Sequence, residues 1–177
     1  MDEKQLLTEC LKGDVKAQKR LYDMFAPKMY GVCLRYAKDQ DTAQDYLQEG
    51  FIRVFTHLDK FRHEGSLEGW VRRIVVNTAL EKLRKMDVFK NSVDVETALN
   101  KEYDAVQLMD QINADELLQL IQTLPTGFRT VFNLYAIEGY THQEIAAIMH
   151  ISEGTSKSQY SRARQWLQHK LNKKEQA

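Results

Sequence analysis

Apolar residues recur at helical spacing along most of the chain, with polar residues between them. Two such stripes are formed by Leu21, Met24, Phe25, Met29, Val32 and Cys33, and by Ala43, Leu47, Phe51, Val54 and Phe55. Steps of three and four residues place these side chains on one face of a helix. With 8 glycines and 2 prolines among 177 residues, there is little material for the tight turns of a sheet. The pattern predicts an all-α protein of two small helical bundles joined by a linker.

Residues 1 to about 86 are predicted to form four helices, three of which have a recognisable start. Asp14 is a suitable N-cap, because a short polar side chain can accept a hydrogen bond from the first turn of the backbone. The next helix is predicted to open at Asp41, with Gln44 three residues on, close to a capping box. Ser66 is the predicted N-cap of a long fourth helix, after a loop.

Periodicity weakens and acidic residues accumulate after the fourth helix. Residues 92–116 contain seven acidic side chains and one lysine. This composition is typical of a solvated tether, and helical spacing resumes at Asn113. The predicted organisation is a first domain at residues 1–87, an acidic linker at 88–112 and a second domain at 113–177.

Charge is balanced over the chain but unevenly distributed. Lys and Arg total 25, as do Asp and Glu, so the net charge gives no indication of a nucleic-acid partner. Residues 60–90 contain eight basic and four acidic side chains, and residues 153–174 contain six basic and one acidic. A surface that binds DNA must therefore be local to such segments.

The strongest local signal is a helix-turn-helix near the C-terminus. Thr141 and Glu144 have the spacing of a capping box at the start of a short helix. His150 lies in the turn that follows, and Ser152 is the predicted cap of a second helix. The exposed side of that helix is polar and cationic, with Lys157, Ser158, Ser161, Arg162 and Arg164. In this motif the second helix enters the major groove, although any helical hairpin with a capped second helix gives a similar pattern.

Several classes of protein are disfavoured by the sequence. Cys10 and Cys33 lack a CxxC spacing, so neither a zinc site nor a disulfide framework is expected. The apolar runs fall short of the roughly 18 to 20 residues that span a bilayer, and the N-terminus is too polar for a signal peptide. We expect a cytoplasmic protein without membrane insertion. No spacing of acidic and histidine residues matches a catalytic or metal site, so neither catalysis nor a cofactor is expected.

The sequence resembles the extracytoplasmic-function group of bacterial sigma factors in both halves. In the first half the resemblance lies in a segment similar to the family's polymerase-binding helix and one similar to its −10-recognition segment. These contain Asp41, Asp45, Gln48, Glu49, Phe51, Arg53 and Phe55, and Phe61, Arg62, Trp70, Arg73, Asn77, Leu83 and Arg84. The second half resembles the family's −35-binding domain at Leu124, Pro125, Arg129, Glu138, Gly139, Tyr140, Thr141, Glu144, Ile145, Ala146, Thr155, Arg162, Ala163 and Arg164. The matches occur in family order across two domains.

In the first domain the resemblance implies two binding surfaces. Asp45, Gln48, Glu49 and Arg53 are spaced to lie on one side of a helix, and in the family this face docks on core RNA polymerase. For the −10 element, the implied DNA-binding residues are Phe61, Arg62, His63, Ser66, Arg73, Asn77 and Arg84. Trp70 shares its side of the helix with Leu67, Val71 and Ile74, so we expect it in the core.

In the second domain the resemblance implies contacts with the −35 element. Lys157, Ser158 and Ser161 match positions that contact bases, and Thr155 and Arg162 are candidates for phosphate. Four residues depart from the family's usual types. Glu81 replaces Asp, Ser156 replaces an aliphatic residue, and Gln159 and Tyr160 replace a basic and an aliphatic residue.

The implied partners are core RNA polymerase, promoter DNA and an anti-sigma factor, and the implied function is promoter recognition and transcription initiation. The alternative is a stand-alone helix-turn-helix regulator, which would explain residues 113–174 but leave the pattern of residues 41–84 without a role. Such regulators also usually dimerise to span two half-sites.

Overall fold

The chain forms helices joined by short connections in the residues that the structure, a computed structural model, describes. These are residues 2–86 and 113–175, with side chains described to residue 173. The chain divides into two compact units, Met1–Lys82 and Leu83–Ala177. No strand occurs in the described ranges, which agrees with the predicted all-α fold. The predicted linker at residues 88–112 lies outside the described residues, and the predicted domain boundaries stay a prediction.

The first unit is built from four helices. They are α1 (Glu3–Leu11), α2 (Val15–Tyr36), α3 (Gln40–Thr56) and α4 (Leu67–Lys85), with a 3-10 turn at Leu58–Lys60. α1 packs against α2, and α2 packs against α3. Large side chains that are fully buried in this unit include Leu21, Met29, Tyr36, Val54, Leu67 and Val71. Most residues of the predicted apolar stripes are buried together, which stabilises the helices, but Met24 is 53% exposed, so its place in the stripe was wrong.

Two of the three predicted helix starts in this unit are confirmed. The Asp14 carboxylate accepts from the Ala17 amide at 2.8 Å, and Ser66 Oγ accepts from the Gly69 amide at 3.1 Å. The predicted start at Asp41 is wrong. Asp39 is the N-cap of α3, since its backbone is extended and its carboxylate accepts from the Thr42 amide at 2.7 Å. Asp41 instead lies in the first helical turn, where its negative charge interacts favourably with the positive end of the helix dipole.

Gly50 permits a close approach of α3 and α4. A Cβ atom at Gly50 would lie 3.0 Å from Val75 Cγ2 and 3.3 Å from Val75 Cα. These distances are shorter than ordinary van der Waals contact, and Gly50 itself is buried. A side chain at this position would therefore separate the two helices or distort α4.

The described part of the second unit is built from four further helices, of which the last is the longest. They are α5 (Ala114–Thr123), α6 (Thr126–Phe132), α7 (His142–Met149) and α8 (Glu153–Glu175), with a π-helical segment at Asn133–Ile137 that directly continues α6. α6 and α7 both pack against α8. Its core contains Leu120, Ile121, Leu124, Phe132, Ala163 and Leu167. Within the described residues, no helix has the length and apolar character needed to cross a membrane.

Replacing Gly50 by alanine should destabilise the first unit, although alanine favours helices more than glycine does. Gly31 in α2 is the matched control, because a Cβ there meets no atom within 4 Å. We expect Gly31→Ala to raise the free energy of unfolding by about 0.5–1 kcal/mol and Gly50→Ala to lower it by about 1–2 kcal/mol. Urea titrations followed by Trp70 fluorescence, in a Trp166→Phe background, measure both. Stabilisation by Gly50→Ala would contradict the close packing.

Candidate functional site

A pocket opens beside the N-terminus of α4, where the −10-binding residues were predicted. Its volume is about 360 Å³. It is lined by Lys60, Phe61, Arg62, Glu64, Gly65, Ser66, Gly69, Trp70 and Arg73. Four of the predicted residues therefore meet in one cavity, namely Phe61, Arg62, Ser66 and Arg73. Lys60, Glu64 and Trp70 also line it, whereas His63, a predicted −10-binding residue, does not.

Aromatic rings form one side of this pocket. The Phe61 and Trp70 ring centroids are 5.5 Å apart, and the His63 ring lies 4.7 Å from Phe61. Trp70 is half-buried, so the expectation that it belongs to the core is wrong. Its ring packs beside Phe61 and lines the pocket instead. Flat aromatic faces of this kind stack with unpaired bases.

Local backbone geometry shapes the loop over the pocket. His63 has a φ of 58°, in the left-handed region that few side chains adopt. The 3-10 turn before it is anchored by Leu58, which is 4% exposed. Three cationic side chains line the pocket (Lys60, Arg62 and Arg73) against one carboxylate, Glu64. The cavity thus combines π surfaces with an excess of positive charge, which suits a base and its phosphates.

The other predicted −10 residues continue along α4. Arg73, Asn77 and Arg84 are exposed, and steps of four and seven residues place them on one face of the helix. Asn77 and Arg84 do not line the pocket.

The predicted polymerase-binding residues separate into two groups on α3. Asp45 and Gln48 are exposed. Glu49 and Arg53 are half-buried and form ion pairs within the unit. Arg53 donates to Glu81 at 2.6 Å and to Glu49 at 3.0 Å, and Lys82 bonds the other Glu49 oxygen at 2.6 Å. Glu49 and Arg53 therefore join α3 to α4.

These ion pairs change the titration of their members. The hydrogen bond from Lys82 lowers the pKa of Glu49, and the hydrogen bond to Glu81 raises the pKa of Arg53. Glu49 and Arg53 therefore stay charged near pH 7. Glu81 stands where the resemblance leads us to expect Asp, and its carboxylate reaches Arg53 at 2.6 Å.

Ile52 is a surface residue that the sequence analysis missed. Its side chain is 65% exposed. It follows Asp45 by seven residues and Gln48 by four, so the three lie on one face of α3. Plotting α3 on a helical wheel would have placed Ile52 on this face, opposite the buried stripe. We call Asp45, Gln48 and Ile52 the α3 outer face.

The helix-turn-helix is present as predicted. Thr141 and Glu144 form the full capping box at the start of α7. His150 ends α7 in the left-handed region, with φ 57° and ψ 44°. Ser152 Oγ accepts from the Thr155 amide at 2.9 Å and so caps α8. These local bonds set the angle of the turn that joins the two helices.

The predicted −35 contacts lie on α8 with different degrees of exposure. Lys157, Ser158 and Ser161 are exposed, whereas Thr155 and Arg162 are half-buried. Lys157 pairs with Glu153 at 2.8 Å, and both side chains are largely exposed. An exposed pair of this type contributes at most about 1 kcal/mol, so Lys157 can exchange it for a DNA contact.

The opposite side of α8 explains the unusual residues at 156, 159 and 160. Gln159 is 2% exposed and cannot face DNA. Tyr160 stacks 6.1 Å from Phe132 and lies 4.5 Å from Tyr135. Ser156 is wholly buried, and its hydroxyl bonds His142 Nδ1 at 2.9 Å. The departures from the family pattern are thus internal packing residues.

Comparison with protein families gives two matches, one in each unit. Residues 21–87 match the family described as Sigma-70 region 2. Residues 114–167 match the family described as Sigma-70, region 4. The first range includes the α3 outer face and the pocket, and the second includes the helix-turn-helix.

Individual proteins are similar over nearly the whole chain. The RNA polymerase sigma-H factor of Pseudomonas aeruginosa is 31% identical, covering 92% of this chain and 90% of its own. The ECF RNA polymerase sigma-E factor of Escherichia coli K12 is 31% identical, covering 94% and 93%. The sigma factor RpoE of Bartonella quintana, solved in complex with the anti-sigma factor NepR, superposes with a TM-score of 0.50 at 24% identity, covering 89% and 98%. This last likeness concerns the fold.

Stability of the second unit should fall as the medium becomes acidic. Burial, followed by repulsion from Lys157, lowers the pKa of His142 from its ordinary value of 6.5. Below pH 6.5 the unfolded chain therefore binds more protons at this site than the folded one. The stabilisation is complete above pH 6.5 and is lost as the pH falls through the folded pKa.

The measurement is urea unfolding at pH 7.5 and pH 5.5, followed by Trp166 fluorescence in a Trp70→Phe background. His142→Phe should reduce the loss of stability between the two pH values. An equal loss in both proteins would contradict a depressed pKa at His142.

Proposed function

This chain belongs to the extracytoplasmic-function (ECF) RNA polymerase sigma factors, and we propose that its two units contact separate elements of one promoter while α3 docks on core RNA polymerase. One observation carries most of this proposal. The pocket between Phe61 and Trp70, with Arg62 and Arg73 around it, falls in the range that matches Sigma-70 region 2. It has the size, aromatic walls and charge required to bind an unpaired base.

The pocket and the exposed face of α4 would act on the −10 element. A base that leaves the duplex loses its stacking partners, and Phe61 and Trp70 offer replacement surfaces. Arg62 and Arg73 would contact the adjacent phosphates, and Asn77 and Arg84 would contact DNA at the edge of the melted region. Capture of an unpaired base stabilises the melted state, which is the step that initiation requires.

α8 would contact the −35 element in the major groove. Lys157 can donate to guanine O6 or N7, and Ser158 and Ser161 are exposed beside it. Thr155 and Arg162 would contact phosphates and set the register. Buried Gln159 is excluded from base contact, so base preferences of relatives with a basic residue there do not transfer to this chain.

The α3 outer face would dock on core polymerase. Asp45 and Gln48 offer polar contacts, and Ile52 offers an exposed apolar side chain between them and the end of the helix. Glu49 and Arg53 would act indirectly, because their ion pairs with α4 hold α3 in place. In the family these two residues belong to the face that docks on polymerase. Their bonds here support an indirect role, in which they hold α3 in position for docking.

Three further assignments rest on the family. RNA synthesis would be catalysed by the polymerase and not by this chain, and the site of action would be the cytoplasm. An anti-sigma factor is proposed as a third partner, since the Bartonella quintana sigma factor is solved in complex with one. A stand-alone regulator is not favoured, because the Sigma-70 region 2 match covers the half that such a regulator leaves without a role.

Phe61→Ala should impair transcription on an ordinary duplex promoter far more than on a promoter that is already melted. Loss of one stacked base contact costs about 1–3 kcal/mol, so we expect roughly a tenfold fall in run-off transcript from the duplex. The same promoter with a mismatched bubble around the −10 element should lose less, because melting no longer depends on base capture. Arg73→Gln should likewise reduce the transcript from the duplex. Its charge control is Arg20→Gln on α2, an exposed cation outside the pocket, which should not. Equal losses on both templates would contradict base capture.

Binding to core polymerase should depend on the α3 outer face. We expect Asp45→Ala and Ile52→Ala each to raise the dissociation constant several-fold, since contacts at the centre of an interface contribute most of the affinity. Val15→Ala is the matched control for Ile52, because Val15 is also exposed, at 75%, on another helix. Fluorescence anisotropy of the labelled chain measures all three. Equal affinities for Ile52→Ala and Val15→Ala would remove Ile52 from the interface.

A further inference from the structure

A side-chain hydrogen bond links the two helices of the helix-turn-helix. His142 is the first residue of α7, and its Nδ1 atom lies 2.9 Å from Ser156 Oγ in the first turns of α8. Ser156 is wholly buried. A buried hydroxyl is costly unless it is bonded, so this contact fixes both side chains.

Aromatic rings hold His142 in the orientation that the bond requires. The Tyr135 ring stacks on it, with centroids 4.3 Å apart and planes within 12°. The Tyr160 ring of α8 lies 5.9 Å away and inclined by 59°. Tyr135 belongs to the π-helical segment, so three elements of the unit meet at this imidazole. Its direction is therefore set by packing on two sides and by a hydrogen bond on a third.

The position of Ser156 on α8 determines how the DNA-facing residues emerge. Lys157 and Ser158 follow it directly and are exposed, while Ser156 points inward. Side chains extend to a radius of about 5–6 Å from a helix axis, so a rotation of about 20° moves them by about 2 Å. A displacement of this size is enough to break a hydrogen bond to a base edge.

We propose that the His142–Ser156 hydrogen bond is a positioning contact, which sets the rotation of α8 about its axis and thereby the base discrimination at the −35 element. This inference rests on the proposed role of α8. Neither residue contacts DNA: each acts through Lys157, Ser158 and Ser161.

The test uses holoenzyme assembled from the full chain and purified bacterial core polymerase. The template is the DNA fragment upstream of the chain's own gene, in which run-off transcription first locates the promoter. It is compared with copies that carry one base-pair change in the −35 element. His142→Phe keeps a ring that can stack but removes the bond, and Ser156→Ala removes the other partner. His142→Asn keeps a polar atom near the position of Nδ1.

We expect His142→Phe and Ser156→Ala each to reduce the discrimination between native and altered −35 elements about fivefold. This is the effect expected for the loss of one buried hydrogen bond. The double variant should lose no more than either single variant, and His142→Asn should restore part of the discrimination. Urea unfolding establishes that each variant is folded at the assay temperature. A role in stability alone would lower transcription from all templates equally.

Unchanged discrimination in folded Ser156→Ala and His142→Phe holoenzymes would overturn the positioning role. A wild-type holoenzyme that starts transcripts without discriminating −35 base pairs would instead refute the proposed role of α8. The two failures are therefore distinguishable in one experiment.

Discussion

The contact between α3 and α4 is the constraint on which the first unit depends. Gly50 allows the helices to approach until Val75 fills the space that a side chain would take. At that separation Arg53 reaches Glu81, and Lys82 reaches Glu49. One face of α3 is thereby committed to α4, and the other face is left exposed for a partner. The pocket at the start of α4 is thus connected to the α3 outer face, the proposed docking surface, by packed helices.

In the second unit, the turn of the helix-turn-helix and the inward-facing side chains of α8 position the two helices. Local caps at Thr141 and Ser152 define where the helices begin. Their relative rotation depends instead on contacts across the motif, at His142, Ser156 and Tyr160. Sequence-specific binding of DNA requires internal contacts that fix the helix in this way, because hydrogen bonds to bases tolerate little displacement.

Local features were predictable from the sequence, and contacts between distant residues were not. Ser66 and Thr141 were recognised as caps because capping depends on residues three apart. The N-cap of α3 was assigned to Asp41 instead of Asp39. Both carboxylates could accept a hydrogen bond from the first helical turn, and only the backbone conformation distinguishes them. The Arg53–Glu81 and His142–Ser156 bonds join residues 28 and 14 positions apart. Trp70 was assigned to the core because apolar residues share its side of the helix, and its contact with Phe61 joins residues nine positions apart.

The central claim is that one chain contacts a melted −10 element and a duplex −35 element in the same complex. Photo-crosslinking tests it most directly, with p-benzoylphenylalanine at position 63 or 158 of holoenzyme bound to one promoter. The account predicts that position 63 crosslinks to the non-template strand of the −10 element only after melting, and position 158 to the −35 duplex. Crosslinks from position 158 alone, with none from position 63 in the open complex, would contradict it.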